Sequence, residues 1–199
     1  MSFRRRGLVL PSAPLLSSMA LTATIYNLDV ELSNVDRNVY ESLSLRIARQ
    51  PSETPEYFLT RALAYCLEYT EGIGFSGGIT EPELPSIFVR DLTGTMKVWI
   101  DIGHPDAARL HKANKAAPRV AIYTHKDPAQ LLRSYAGEKI FKAESIDLFA
   151  MDRALLAELA ERLDRRMKLG LSVNEGQLYI DLGGKTFEGV VERHSLVSP

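Results

Sequence analysis

The chain has 199 residues with 45% hydrophobic and 25% charged content, a length that suits one domain with a core of ordinary size. A formal net charge of −1 excludes a global pull toward nucleic acid or a membrane surface, so any such attraction has to be local. The single cysteine, Cys66, excludes an internal disulfide framework and fits a reducing cytoplasm. No run approaches the ~20 apolar residues that span a bilayer, so no membrane partner is expected.

Arg4, Arg5 and Arg6 followed by Gly7 to Leu10 imitate the start of a signal peptide, but Pro11 and Pro14 interrupt the apolar region. Residues 1–18 therefore read as a disordered extension or a non-native start, and residues 19–199 as a single domain opening at Met19. Residues 21–32 (LTATIYNLDVEL) alternate apolar and polar, which predicts a strand, with Leu43 to Ile47 as its partner. Thr54 and Pro55 supply a cap and a first-turn proline for a helix over 55–70. Its apolar stripe runs through Phe58, Leu59, Ala62, Leu63, Cys66 and Leu67, so Cys66 is expected to be an inert core thiol. Glu56 and Glu68 on this helix read as surface charges, and Glu56 also complements the helix dipole.

A first short strand is expected near Phe75 to Thr80. Ser86 to Arg90 and Met96 to Ile102 follow as strands joined by a turn at Asp91 to Gly94. Pro105 opens a helix that Pro118 ends, and the apolar run RVAIYT over 119–124 predicts a strand buried on both faces. Beyond it the pattern predicts a short helix over 128–135, a strand over 145–150 and an amphipathic helix over 152–167. Strands then follow at Leu169 to Val173, Gln177 to Leu182 and Thr186 to Val191. Gly183-Gly184-Lys185-Thr186 is a hairpin turn, not a phosphate loop, because Tyr179 stands where that motif needs a glycine. His104, His111, His125 and His194 have no metal-ligand spacing.

One stretch carries chemistry. Antiparallel register from the turn at Thr93-Gly94 puts Asp101 opposite Pro85 or Ser86. Glu83 then lies two to three residues further on, roughly 7–10 Å away at ~3.3 Å per residue. Two such carboxylates suit Mg²⁺ or Mn²⁺ with waters completing the shell. The plainer alternative is that Glu81 and Glu83 are loop charges and Asp101 a strand-end polar group. Arg109, Lys112 and Lys115 recur every three residues and form one ridge, either a solvated helix face or a set of cations near Asp101.

At these residues the chain resembles the YaeQ family. The likeness runs from Met19 to Tyr26 through Asp36-Arg37-Asn38, Ala48 to Thr54 and Glu81-Pro82-Glu83. It continues through Asp91 to Gly94 and Trp99 to Asp106, and ends at Arg109 to Ala113. The resemblance implies an α/β (α+β) fold with a PD-(D/E)XK, restriction-endonuclease-like core. That core is a mixed central sheet flanked by helices, here with extra N- and C-terminal strands. It places Glu83 at the first acid and Asp101 at the second. Gly103 stands where the lysine is expected, and Lys112 from the following helix takes its place. Glu56 becomes an accessory acid, and His104 stands where relatives carry glutamine. The function implied is a Mg²⁺- or Mn²⁺-dependent nuclease or phosphodiesterase. Glu83 and Asp101 would bind the metal, Lys112 would orient the water, and Arg109, Lys115 and His104 would hold the substrate. The alternative is a non-catalytic scaffold of the same fold that binds nucleic acid or a protein partner.

Overall fold

The computed structural model describes residues 22–77, 81 and 83–196. The expected extension 1–18, the start at Met19, Gly78 to Thr80 and Pro82 lie outside the described residues. β1 (Thr24–Asn34) and β2 (Val39–Arg49) form the first hairpin. Their alternation puts Tyr26, Leu28, Val30 and Leu32 on one buried face with Leu43, Leu45 and Ile47. α1 (Pro55–Leu67) begins as its sequence demands, with the Tyr57 amide donating to Thr54 Oγ1 at 3.2 Å. A cap of this kind contributes about 1 kcal/mol. The helix stops short of the expected residue 70, at Leu67, whose carbonyl takes a hydrogen bond from the Arg37 guanidinium. Cys66 is 2% exposed, and burial pushes its thiol up to about 12, so it is inert core as expected.

β3 (Ile73–Phe75), β4 (Ile87–Arg90) and β5 (Met96–Ile102) follow α1, then α2 (Ala107–Ala116) and β6 (Arg119–Thr124). This is the predicted order of helix, three strands, helix and strand, although β3 lies earlier than the expected 75–80. α3 (Pro128–Tyr135), β7 (Ile146–Met151), α4 (Arg153–Ala160), β8 (Arg166–Asn174), β9 (Gln177–Leu182) and β10 (Lys185–Ser195) complete the chain. The expected helix over 152–167 is overturned beyond Ala160. Arg166 and Met167 already pair in parallel with Asn27 and Leu28 of β1, and strand pairing takes that segment from the helix.

All ten strands of the described residues join one sheet, in the order β2-β1-β8-β9-β10-β7-β6-β5-β4-β3. β10 stitches its two halves. Lys185 to Val190 pair with β9, and Val191 to Ser195 pair with β7. α1 and α4 pack on one face, where Phe58, Leu63, Leu155, Leu156 and Leu159 meet Ile100, Ala121 and Tyr123. α2 and α3 pack on the other, where Leu110 and Leu131 meet Trp99, Val120, Ile122 and Leu148. β6 is therefore covered on both faces, which is why Val120, Ala121 and Ile122 are all apolar and buried. Gly189 of β10 is needed for the approach of α4. A Cβ there would lie 2.8 Å from Leu155 Cβ and 3.0 Å from Asp152 Cβ. No described helix is long and apolar enough to cross a membrane.

Candidate functional site: an acid cluster closed by helix α2

β4 and β5 are antiparallel, with Phe88 opposite Trp99 and Ile87 opposite Ile100. One further step sets Ser86 opposite Asp101, one of the two registers expected. Trp99 and Asp101 share the face that α2 covers. Asp106 caps α2 by accepting from the Arg109 amide at 2.7 Å, which fixes where the first turn begins. Arg109 then lies back over β5, its guanidinium 5.5 Å from the Trp99 ring centroid.

This geometry closes on Asp101, which is 1% exposed. Its Oδ2 accepts from Arg109 Nε at 2.7 Å and from Trp99 Nε1 at 2.9 Å, and its Oδ1 accepts from Arg109 Nη2 at 2.7 Å. Arg109 Nη2 also donates to the Leu84 carbonyl at 2.7 Å. One guanidinium thus ties β5 to the segment before β4. The hydrogen bonds to Asp101 raise the Arg109 pKa above its ordinary value. One turn along α2, Lys112 pairs with Glu83, and both side chains are largely solvent-exposed.

Glu83, Asp101, Arg109 and Lys112 are therefore brought to one place, as the sequence suggested, but as two acid–base pairs. The donor set does not fit a Mg²⁺ or Mn²⁺ ion in this arrangement. Asp101 already receives three hydrogen bonds on two oxygens, and a cation would have to displace a bidentate arginine from a buried carboxylate. Among the described residues no three His, Cys, Asp or Glu side chains group closely enough to hold a metal.

The other expected residues lie apart. His104 Nε2 is 2.8 Å from Ser134 Oγ, and the ring meets Tyr135 edge-on, so it fastens the β5–α2 loop to α3. Lys115, in the last turn of α2, sits 5.9 Å over the Phe141 ring. Glu56, in the first turn of α1, lines a separate cleft with His125 and Arg153.

The reading of Glu68 as a surface charge is overturned. It is 6% exposed and takes Arg119 bidentately, at 2.7 Å and 2.9 Å, with Tyr123 Oη donating to Oε1 at 2.9 Å. Asp147 joins the network, accepting from Arg119 Nε at 3.3 Å and from Arg193 Nη2 at 2.6 Å. Burial, then the Glu68 charge, pushes the Tyr123 phenol well above its ordinary value. The network edges a 430 Å³ cavity beside the β1–β2 turn. Helical periodicity gives Glu68 no signature, because its partner is 51 residues away.

The YaeQ protein family model matches residues 19–191. The chain belongs to the YaeQ family. It is 31% identical over 163 residues to the Uncharacterized protein YaeQ of Escherichia coli strain K12, covering 81% of this chain and 90% of that one. The Salmonella typhi protein of the same name matches to the same extent. Among solved structures, the YaeQ protein of Pseudomonas syringae superposes with a TM-score of 0.76 at 26% identity, covering 86% of this chain and 95% of that one. The YaeQ protein of Xanthomonas axonopodis pv. citri gives a TM-score of 0.78 at 24% identity over 87% of this chain and 99% of that one, a likeness of fold. The YaeQ fold is thus a mixed α+β architecture, here with one large sheet and four helices among the described residues.

Proposed function

We propose that this YaeQ-family chain is a non-catalytic scaffold on a nuclease-like PD-(D/E)XK core, acting in the cytoplasm by binding a protein partner. The observation that carries it is the state of Asp101, buried and held on both oxygens by Arg109. An acid so placed stabilises the join between β5, α2 and the segment before β4. It is withheld from a metal and from a phosphodiester. Of the two partner classes, nucleic acid is the weaker. Arg109 and Lys112 are each neutralised by a carboxylate, which removes the counterion-releasing charge that a phosphate backbone needs.

A second reading has one observation in its favour. α2 brings Arg109 onto Asp101 and Lys112 onto Glu83, so a metal-dependent nuclease needs both cations to swing off the acids. In that case Mg²⁺ or Mn²⁺ would lower the pKa of a bound water. Calorimetric titration of Mn²⁺ into metal-stripped wild type and Asp101→Ala separates the two. The scaffold predicts featureless titrations for both proteins. A sub-millimolar site in wild type that Asp101→Ala abolishes would overturn it in favour of the nuclease.

A further inference from the structure

β6 leads into α3 on one face of the sheet, and β7 leads into α4 on the opposite face. The neighbouring parallel strands therefore part their helices between them. At such a switch point the carboxyl ends of the strands open into a crevice, the usual place for a ligand in open α/β sheets. Here the crevice has a volume of about 510 Å³ and is lined by Thr54, Glu56, His125, Lys126, Gln130 and Arg153, among others.

Four polar side chains of this crevice differ from the acid cluster in being unengaged. Among the described residues, the side chains of Glu56, Lys126, Gln130 and Arg153 make no hydrogen bond or ion pair. His125 Nδ1 is buried and has no partner, although its ring is held by an edge contact with Tyr57 at 5.9 Å. A buried ring nitrogen left unpaired is uncommon. The nearby helix amides do not supply the binding capacity. Thr54, Asp127 and Asp152 each cap their own helix with a side-chain oxygen. The capacity lies in one guanidinium, one ammonium and one carboxamide beside the His125 ring; of the two carboxylates that line the crevice, Asp127 is taken up as the cap of α3 and Glu56 is half-buried and unengaged.

We infer that this crevice binds the phosphate group of a small phosphomonoester that also carries hydroxyl groups. Arg153 grips two phosphate oxygens with its planar fork, and Lys126 adds a point charge. The His125 ring lines the crevice beside them, and burial, then Lys126, depresses its pKa, so the ring reports a bound anion by titrating upward. Glu56 repels a phosphate but accepts hydrogen bonds from hydroxyls, so it selects the ester over free phosphate. The inference goes beyond the scaffold reading and uses none of Glu83, Asp101, Arg109 or Lys112.

The test is an NMR titration of His125 in the full chain with glycerol 3-phosphate and, separately, inorganic phosphate. Wild type, Arg153→Leu, Lys126→Met and Glu56→Gln are compared. Arg153 and Lys126 are exposed, so their removal leaves the fold intact. Glycerol 3-phosphate is expected to raise the His125 titration midpoint by about half a unit or more, since a dianion favours the protonated ring. Arg153→Leu should weaken binding about tenfold or more. Glu56→Gln should bring inorganic phosphate up to the affinity of the ester. No movement of His125 with tens of millimolar ester overturns the proposal. So does a shift that survives both Arg153→Leu and Lys126→Met, or inorganic phosphate binding wild type as tightly as the ester.

Discussion

Two charged regions lie along the carboxyl-terminal ends of neighbouring strands, and they have opposite characters. At the end of β5, Asp101 is saturated by Arg109 and Trp99, and Glu83 is matched by Lys112. At the ends of β6 and β7, His125 Nδ1, Lys126 and Arg153 have nothing to hold among the described residues. The acid cluster carries the residue types that suggest catalysis, whereas the crevice has no motif in the sequence. The difference teaches that a site is marked by hydrogen-bonding capacity left open in a concave place. Residue type alone does not mark it, since an acid and an arginine at a suitable distance consume one another.

The largest expected effect tests the closed region. Arg109→Ala leaves a carboxylate that is 1% exposed without its cation, and should lower unfolding stability by about 3–5 kcal/mol in a denaturant titration. A loss under about 1 kcal/mol would show that Asp101 is hydrated and available, and the contrast between the two regions would collapse.

An intermediate effect addresses the open region through the packing of α4. Gly189→Ala places a methyl 2.8 Å from Leu155 Cβ, a contact that the helix must retreat to relieve. The expected loss is about 1–3 kcal/mol, the cost of overpacking. It should come with chemical-shift changes at Arg153 and His125 and none at Trp99 Nε1. Changes at Trp99 would mean that the two regions move as one body.

The smallest effect belongs to the exposed pair. Lys112→Ala breaks an ion pair whose side chains are 51% and 79% exposed, and stability should change by only about 0–1 kcal/mol. A larger loss would place Lys112 with Arg109 as part of the clamp on β5.

Much of the fold was legible. The alternation through Tyr26, Leu28, Val30 and Leu32, the Thr54-Pro55 start and the doubly buried Val120 to Tyr123 run all pointed to the right elements. The register that sets Asp101 beside the start of β4 was legible to within one residue, because the tight turn at Thr93-Gly94 constrains it locally and a register shift between Val89 and Arg90 then selects Ser86. There the Asp91 carboxylate accepts from the Thr93 and Thr95 amides at 2.9 Å, and Gly94 adopts φ 82°. The end of α4 at Ala160 was not legible, since Arg166 joins β1 by a pairing that spans most of the chain.

The sequence by itself determined the residue pool, the helix starts and the strand periodicity, because caps, turns and alternation are short-range interactions. It also determined that Glu83, Asp101, Arg109 and Lys112 belong to adjacent elements. Only the tertiary structure decided that these four cancel in pairs, that Glu68 is buried under Arg119 and Tyr123, and that His125, Lys126 and Arg153 line one crevice. Those outcomes depend on which face each helix takes and on which side chain reaches a carboxylate first. Such choices are settled by packing between distant segments, which no local pattern encodes.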